Sequence, residues 1–209
     1  MSGSATKRLA SCEVALLRGG PRAAVAVAAL ALHLRGAVAG RGGTMRTSGP
    51  SGGVGHSLPP LHPLEKAVHT SLYRPAGLRE LMERPRMRRE LAEARAELIA
   101  QGLLRRFPPR RKQAARRLLT DLREQLPLSL PLPDDEPENL PADQLALLVA
   151  LDGPAALLAV APRFARQAGL VGRGGRADKG LLPHSWGGGR GLSGHTTDDG
   201  FGPTGSGWI

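Results

Sequence analysis

In MRRELAEARAELIAQ (residues 87–101), Met87, Leu91, Ala94 and Leu98 recur at alternating steps of four and three. At 100° per residue they fall within about 60° of one another, while Arg88, Arg89, Glu90, Glu93, Arg95 and Glu97 take the other faces. The pattern predicts an amphipathic helix with a narrow apolar seam. Before it, GLRELMER (77–84) predicts a short helix ending at Pro85, where a new one can begin because Pro fits a first turn. Pro108-Pro109 closes the long helix. RRKQAARRLLTDLREQL (110–126) predicts another, with Ala115, Leu118, Leu119, Leu122 and Leu126 on its apolar face and Pro127 at its end. PLSLPLPDDEPENLP (127–141) reads as an extended, acidic connector. Asn139 can cap a helix that starts near Leu140, with Pro141 and Asp143 in its first turn. LALLVALDGPAALLAVA (145–161) predicts a helical hairpin broken at Asp152-Gly153-Pro154. A charge and a helix break at its centre would be costly in lipid, so no transmembrane segment is expected.

These elements predict an all-α fold, a small irregular helical bundle or set of helical hairpins over about 77–169, flanked by disordered Gly/Arg-rich tails. Five regions follow: a disordered basic stretch at 1–63, a basic amphipathic helical region at 64–126, a Pro-rich acidic linker at 127–141, an apolar helical hairpin at 142–169 and a Gly-rich disordered tail at 170–209. Composition supports helices. Of the 209 residues 41% are hydrophobic but only 3% aromatic, so the core must come from Leu, Val, Met and Ala. Ala, Leu and Arg favour helices, and β-branched residues are few. The ends lack the bulky apolar groups that offset chain entropy.

The first 63 residues carry a second pattern. They are basic with a single acid, Glu13, which suits a mitochondrial transit peptide. Residues 23–32 contain only Ala, Val and Leu, and Ala37-Val38-Ala39 has the form of a signal peptidase site, although His33 and Arg35 interrupt the run. Met45 offers an alternative start, which would make residues 1–44 an upstream extension. The expected compartment is the nucleus or the mitochondrion, inside the cell in either case.

The formal charge of +11 changes the picture from a neutral bundle to a protein suited to anionic partners. Enrichment in Ala, Arg, Gly and Pro also follows from GC-rich coding DNA. On the helix at 110–126, Lys112, Arg116 and Arg123 lie within about 40° of one another with no acidic neighbour on the same stripe. Arg117 has Asp121 and Glu124 within reach. Arg110, Arg111 and Lys112 stand at the predicted helix start, where positive charge is disfavoured by about 0.3–1 kcal/mol each. A bound phosphate would reverse that penalty. Arg110, Arg111, Lys112, Arg116 and Arg123 are therefore candidate contacts to RNA or another polyanion; the same run also has the form of a nuclear import signal. Met87, Leu91, Leu98, Leu118, Leu122 and Leu126 are candidate contacts to a protein partner.

Other motifs weigh less. Arg-Gly-Gly occurs at Arg18-Gly19-Gly20, Arg41-Gly42-Gly43 and Arg173-Gly174-Gly175, scattered and without aromatic neighbours, as composition alone would produce. The six histidines form no close helical pair, and Cys12 is the only cysteine, so neither a metal site nor a disulfide is expected. No catalytic constellation and no phosphate-binding glycine loop is visible, so neither an enzyme nor a cofactor is expected. The tripeptide Leu72-Tyr73-Arg74, with Phe107 downstream, resembles the signature of the mitochondrial LYR-motif assembly factors. That resemblance implies a three-helix bundle partnering acyl carrier protein and the iron–sulfur transfer machinery. The residues themselves favour a non-enzymatic helical adaptor that binds a partner chain. An RNA-associated basic protein of a ribonucleoprotein is the alternative, and an assembly factor the third reading.

Overall fold

The Ala, Val and Leu run at 23–32 is helical, and none of its ten residues is more than 1% exposed. It forms the body of α2 (Pro21–Leu34) in a computed structural model that describes residues 9–48, 60–106, 111–126 and 140–171. A helix that is apolar on every side belongs in a core. Around it pack α1 (Ser11–Gly19), β1 (Val38–Arg41), α3 (Pro63–Ser71), α4 (Leu78–Glu83) and α7 (Ala142–Asp152). Further out, α5 (Pro85–Ala100) lies on α3 and α4, and α6 (Gln113–Gln125) lies on α1. The chain finishes with α8 (Pro154–Val160), folded back on α7, and α9 (Pro162–Gln167), which meets β1. The described residues are mostly helical, as expected, and no described helix is long and apolar enough to cross a membrane.

The principal difference from the sequence reading is at the N-terminus. Residues 9–48 belong to the fold, whereas the whole of 1–63 was expected to lie outside it; residues 1–8, 49–59 and the tail beyond 171 lie outside the described residues. Bulky side chains are not needed where helices can approach closely, and Ala costs no side-chain entropy on burial. The stretch considered as a targeting segment or upstream extension is thus the centre of the core from Ser11 onward. Met45, the alternative start, is itself fully buried. α1 and α2 also pack against helices from the later regions: both meet α7, α2 meets α3 and α1 meets α5.

A second difference is an antiparallel hairpin in a chain expected to have no strand. β1 pairs with β2 (Thr44–Thr47), with Val38 opposite Thr47 and Arg41 opposite Thr44. The two linking residues, Gly42 and Gly43, have φ of 57° and 82°. Two positive φ values define the hairpin turn whose twist matches its strands, and glycine adopts them without strain. One of the three Arg-Gly-Gly triplets is therefore a turn. Another ends at Gly20, the link between α1 and α2, and the third lies outside the described residues. The hairpin is tied down at both faces. Met45 exchanges backbone hydrogen bonds of 2.8 and 3.0 Å with Ala76, and Gly43 N–H donates to the Gln167 carbonyl at 2.8 Å.

The helix boundaries move modestly. The seam helix starts at Pro85, where the sequence allowed a new helix to begin. α6 starts at Gln113 rather than near 110, because Arg111 is held in an isolated bridge to Leu104 and Lys112 N–H donates to the Leu103 carbonyl. α7 starts at Ala142, and the expected cap Asn139 lies outside the described residues, as does most of the acidic connector. The break at Gly153, with φ of 81°, separates α7 from α8 as the Asp-Gly-Pro triplet predicted.

Two expectations test this packing. A Cβ placed on Gly40 would lie 2.7 Å from the Ala168 backbone nitrogen, where β1 crosses the end of α9. Gly40→Ala should lower folding stability by about 1–3 kcal/mol, read as a shifted urea midpoint. A chain beginning at Met45 lacks α1 and α2 and should show no cooperative unfolding transition by circular dichroism; a sharp transition would refute the central place given to α2.

Candidate functional site

The basic run folds into two environments. The first is a concave opening of about 550 Å³ at the start of α6, lined by Arg105, Arg111, Lys112, Gln113, Ala114 and Arg116. Four of these six residues are cationic and none is acidic. Arg105 comes from the turn after α5, which the Leu104 to Arg111 bridge brings alongside the start of α6. The helix start has no side-chain cap and no acid in its first turn. Its amide hydrogens and the positive end of its dipole therefore add to the field of the side chains.

The second environment is a partly buried ion pair. Arg123 approaches Asp152, at the end of α7, to 2.8 Å, without the alignment of a regular hydrogen bond. The Arg123 side chain as a whole is 38% exposed and that of Asp152 19%, but the two atoms that meet are buried. Arg18 of α1 belongs to the same neighbourhood. Burial disfavours its charge, Asp152 supports it, and Arg111 and Arg123 disfavour it further; the net effect holds its proton affinity below the ordinary arginine range.

The expected stripe is thus divided. Lys112 and Arg116 are exposed at the opening, Arg111 is half-buried beside them, Arg123 is committed to Asp152, and Arg110 lies outside the described residues. Helical phase placed Lys112, Arg116 and Arg123 on one stripe correctly, but it carries no information about an acid 29 residues further along the chain. Arg105 was missed for the same reason. The candidate partner contacts are also divided. Met87 and Leu98 are fully buried in the chain's own core, so they are not available to a partner. Leu91, Leu118, Leu122 and Leu126 are half-buried against that core.

A polar cluster not foreseen from the sequence lies where α1, α3 and α7 begin. Each of these helices carries an acid in its first turn: Glu13, Glu65 and Asp143. Glu13 accepts from Ala10 N–H at 2.8 Å, and Glu65 from His62 N–H at 3.3 Å. Arg35, just after α2, donates to Glu65 at 2.7 Å and to Asp143 at 2.6 Å. Burial opposes the charge on Arg35, but these two carboxylates outweigh it and raise its proton affinity. The lone acid of the N-terminal segment could have been read as a helix-start signal, since Glu13 stands in the first turn of α1.

Cys12, His62 and Glu13 adjoin this cluster in an order that nucleophilic catalysis also uses. The Cys12 Sγ is 3.2 Å from His62 Nδ1, and His62 Nε2 is 3.7 Å from a Glu13 oxygen. The chemistry runs the other way. His62 Nδ1 accepts from Leu64 N–H at 3.3 Å, so this nitrogen carries no proton and accepts from the thiol as well. Cys12 is fully buried, and burial, with Glu65 and Glu13 nearby, pushes its pKa up to about 12. At neutral pH the sulfur is a hydrogen-bond donor and not a thiolate nucleophile. His33 has a structural role too: its Nδ1–H donates to the Val38 carbonyl at 2.9 Å, and its ring stacks on Phe164 at 4.0 Å. Among the described residues no group of three or more His, Cys, Asp and Glu is arranged to hold a metal ion.

Comparison of the chain with protein-family models, with curated proteins and with solved structures finds no match. The Leu72-Tyr73-Arg74 triplet lies in the turn after α3, with Leu72 buried and Tyr73 74% exposed. The Arg84 guanidinium sits 5.1 Å from the Tyr73 ring centre. Phe107 lies outside the described residues.

The thiol makes a pH-dependent expectation. Its folded pKa lies above its ordinary value of 9.0, so its contribution is present below pH 9 and is lost as pH rises from 9 towards 12. The rise corresponds to on the order of 4 kcal/mol. Urea midpoints should fall over that range, and less steeply in Cys12→Ala. Iodoacetamide should label native Cys12 far more slowly than urea-unfolded chain at the same pH; equal rates would show an accessible thiol.

Proposed function

We propose that the protein binds a polyanion, RNA in the first place, through the opening at the start of α6. The observation that carries this reading is the wall itself, with Arg105, Arg111, Lys112 and Arg116 around one concavity and no carboxylate among them. A surface selected for stability alone would place acids at a helix start. Phosphate oxygens would instead meet Arg105, Lys112 and Arg116 and the amide hydrogens of the first turn. The pair of Arg123 with Asp152 supports the same reading, because it stiffens the far half of α6 and leaves the near half to a ligand. The protein acts by binding on this view, and the protonated, buried Cys12 is in keeping with a role that is not catalytic.

The adaptor reading retains one observation in its favour. Leu118, Leu122 and Leu126 of α6 are only half-buried, so a partner helix could cover them. Two of its three other candidate contacts, Met87 and Leu98, are taken up inside the fold.

Salt distinguishes the two. Three phosphate contacts on a single strand give a slope of about −2 for the logarithm of the binding constant against that of salt concentration. Fluorescence anisotropy with a labelled RNA should show that slope. The triple variant Arg105/Lys112/Arg116→Glu should lose binding by more than about tenfold and flatten the slope, with an unchanged circular dichroism spectrum. RNA binding that survives the triple variant would overturn the assignment. A protein partner whose affinity ignores salt would favour the adaptor.

A further inference from the structure

Among the described residues two large hydrophobic side chains are exposed, Leu158 at 37% and Tyr73 at 74%. We propose that Tyr73 is a stacking platform for an unpaired base of single-stranded RNA, a second contact on the strand that enters the basic opening. The proposal goes beyond the opening and rests on the RNA reading for the class of its partner.

The ring is exposed but fixed. Leu72 before it is buried, and its N–H donates to the carbonyls of Val68 at 3.1 Å and His69 at 3.2 Å. After Pro75, the buried Ala76 exchanges backbone hydrogen bonds with Met45 of β2. The turn that carries Tyr73 is thus anchored on both sides. The side chain is held as well, because the Arg84 guanidinium lies against its ring at 5.1 Å from the centre. That guanidinium donates to Glu80 at 2.9 Å and to the Arg74 carbonyl at 3.3 Å, and the Arg84 side chain is only 14% exposed. A ring resting on an anchored cation loses little freedom when a ligand covers it.

The chemistry of the ring selects its occupant. Arg84 already draws on the π-density, so a further cation gains less there. A flat aromatic group gains from offset stacking, and every nucleobase has such a face. Bases in a duplex stack on one another, whereas those of a single strand can be splayed onto a side chain. Arg74 is exposed beside the ring, 5.9 Å from its centre, and can meet the phosphate next to the stacked base. Position fits the same strand. Arg84 directly precedes α5, and Arg105 of the opening lies in the turn after it. The 16 residues of α5 span about 24 Å. A strand of about eight nucleotides reaches over that distance.

Tyr73 is the only tyrosine of the chain, so full-length protein made with isotope-labelled tyrosine gives ring signals from this side chain alone. The probes are an adenylate octamer and an abasic octamer with the same ribose-phosphate chain. Adenylate should shift the Tyr73 ring protons upfield as it saturates the protein, while the abasic strand, equal in charge, should leave them in place. By anisotropy, Tyr73→Ala should weaken the adenylate octamer about tenfold and leave the abasic octamer unchanged, and Tyr73→Phe should restore adenylate binding. Ring signals that stay in place while adenylate binds would overturn the platform and leave the basic opening standing. Equal shifts from both octamers would overturn the base as the ligand. Shifts that persist in Arg105/Lys112/Arg116→Glu at undiminished affinity would support the platform and overturn the opening. Binding of neither octamer would overturn both.

Discussion

The structure depends on a helix with no side to offer to solvent. From Ala23 to Leu32, α2 is buried on all faces, so every other element must find a place around it. Alanine is what permits this. A buried alanine contributes little by its own area, but it lets neighbouring helices approach closely and loses no rotamer freedom. The core is correspondingly poor in large groups, and Phe164 heads the fully buried side chains. Such a core depends on many small contacts made at close range. It is therefore intolerant of added volume, as at Gly40, where β1 crosses the backbone of residue 168.

Close packing of short helices brings several of their N-terminal ends together, and those ends carry unpaired amide hydrogens and partial positive charge. Here α1, α3 and α7 begin near one another, and each supplies its own first-turn carboxylate. The acids stabilise the helix starts but crowd negative charge into one place. Arg35 offsets part of it and links the ends of three helices that are far apart in sequence. This explains why Cys12, His62 and Glu13 lie together. Burial first, and then Glu65 and Glu13 nearby, hold the thiol in its protonated form.

The helix α6 separates two surfaces of different character. Its first turn borders a cationic opening and its last turns border a cleft lined by apolar residues, by Glu65 and Asp143 and by Arg35. Thirteen residues span about 20 Å along the axis, enough to keep the two fields apart at physiological ionic strength. Among the described helices α6 packs chiefly on α1.

Helix positions after residue 77 were legible because a 3.6-residue period and proline breaks are local properties, written within a dozen residues. The seam of Met87 and Leu98, the break at Gly153 and the phase of Lys112 with Arg116 all follow from such patterns. The burial of α2 was not legible in the same way. An Ala-rich run reads alike as a leader peptide, a weak helix or a core helix, and only the presence of partners on every side distinguishes them. The Gly42-Gly43 turn lay hidden in an arginine and glycine background, where its two positive φ values leave no compositional mark. Whether a charge is free is likewise a question of distance. Asp152 removes Arg123 from the basic stripe and Arg105 joins it, because electrostatic partners are chosen by proximity in space, which local periodicity does not encode.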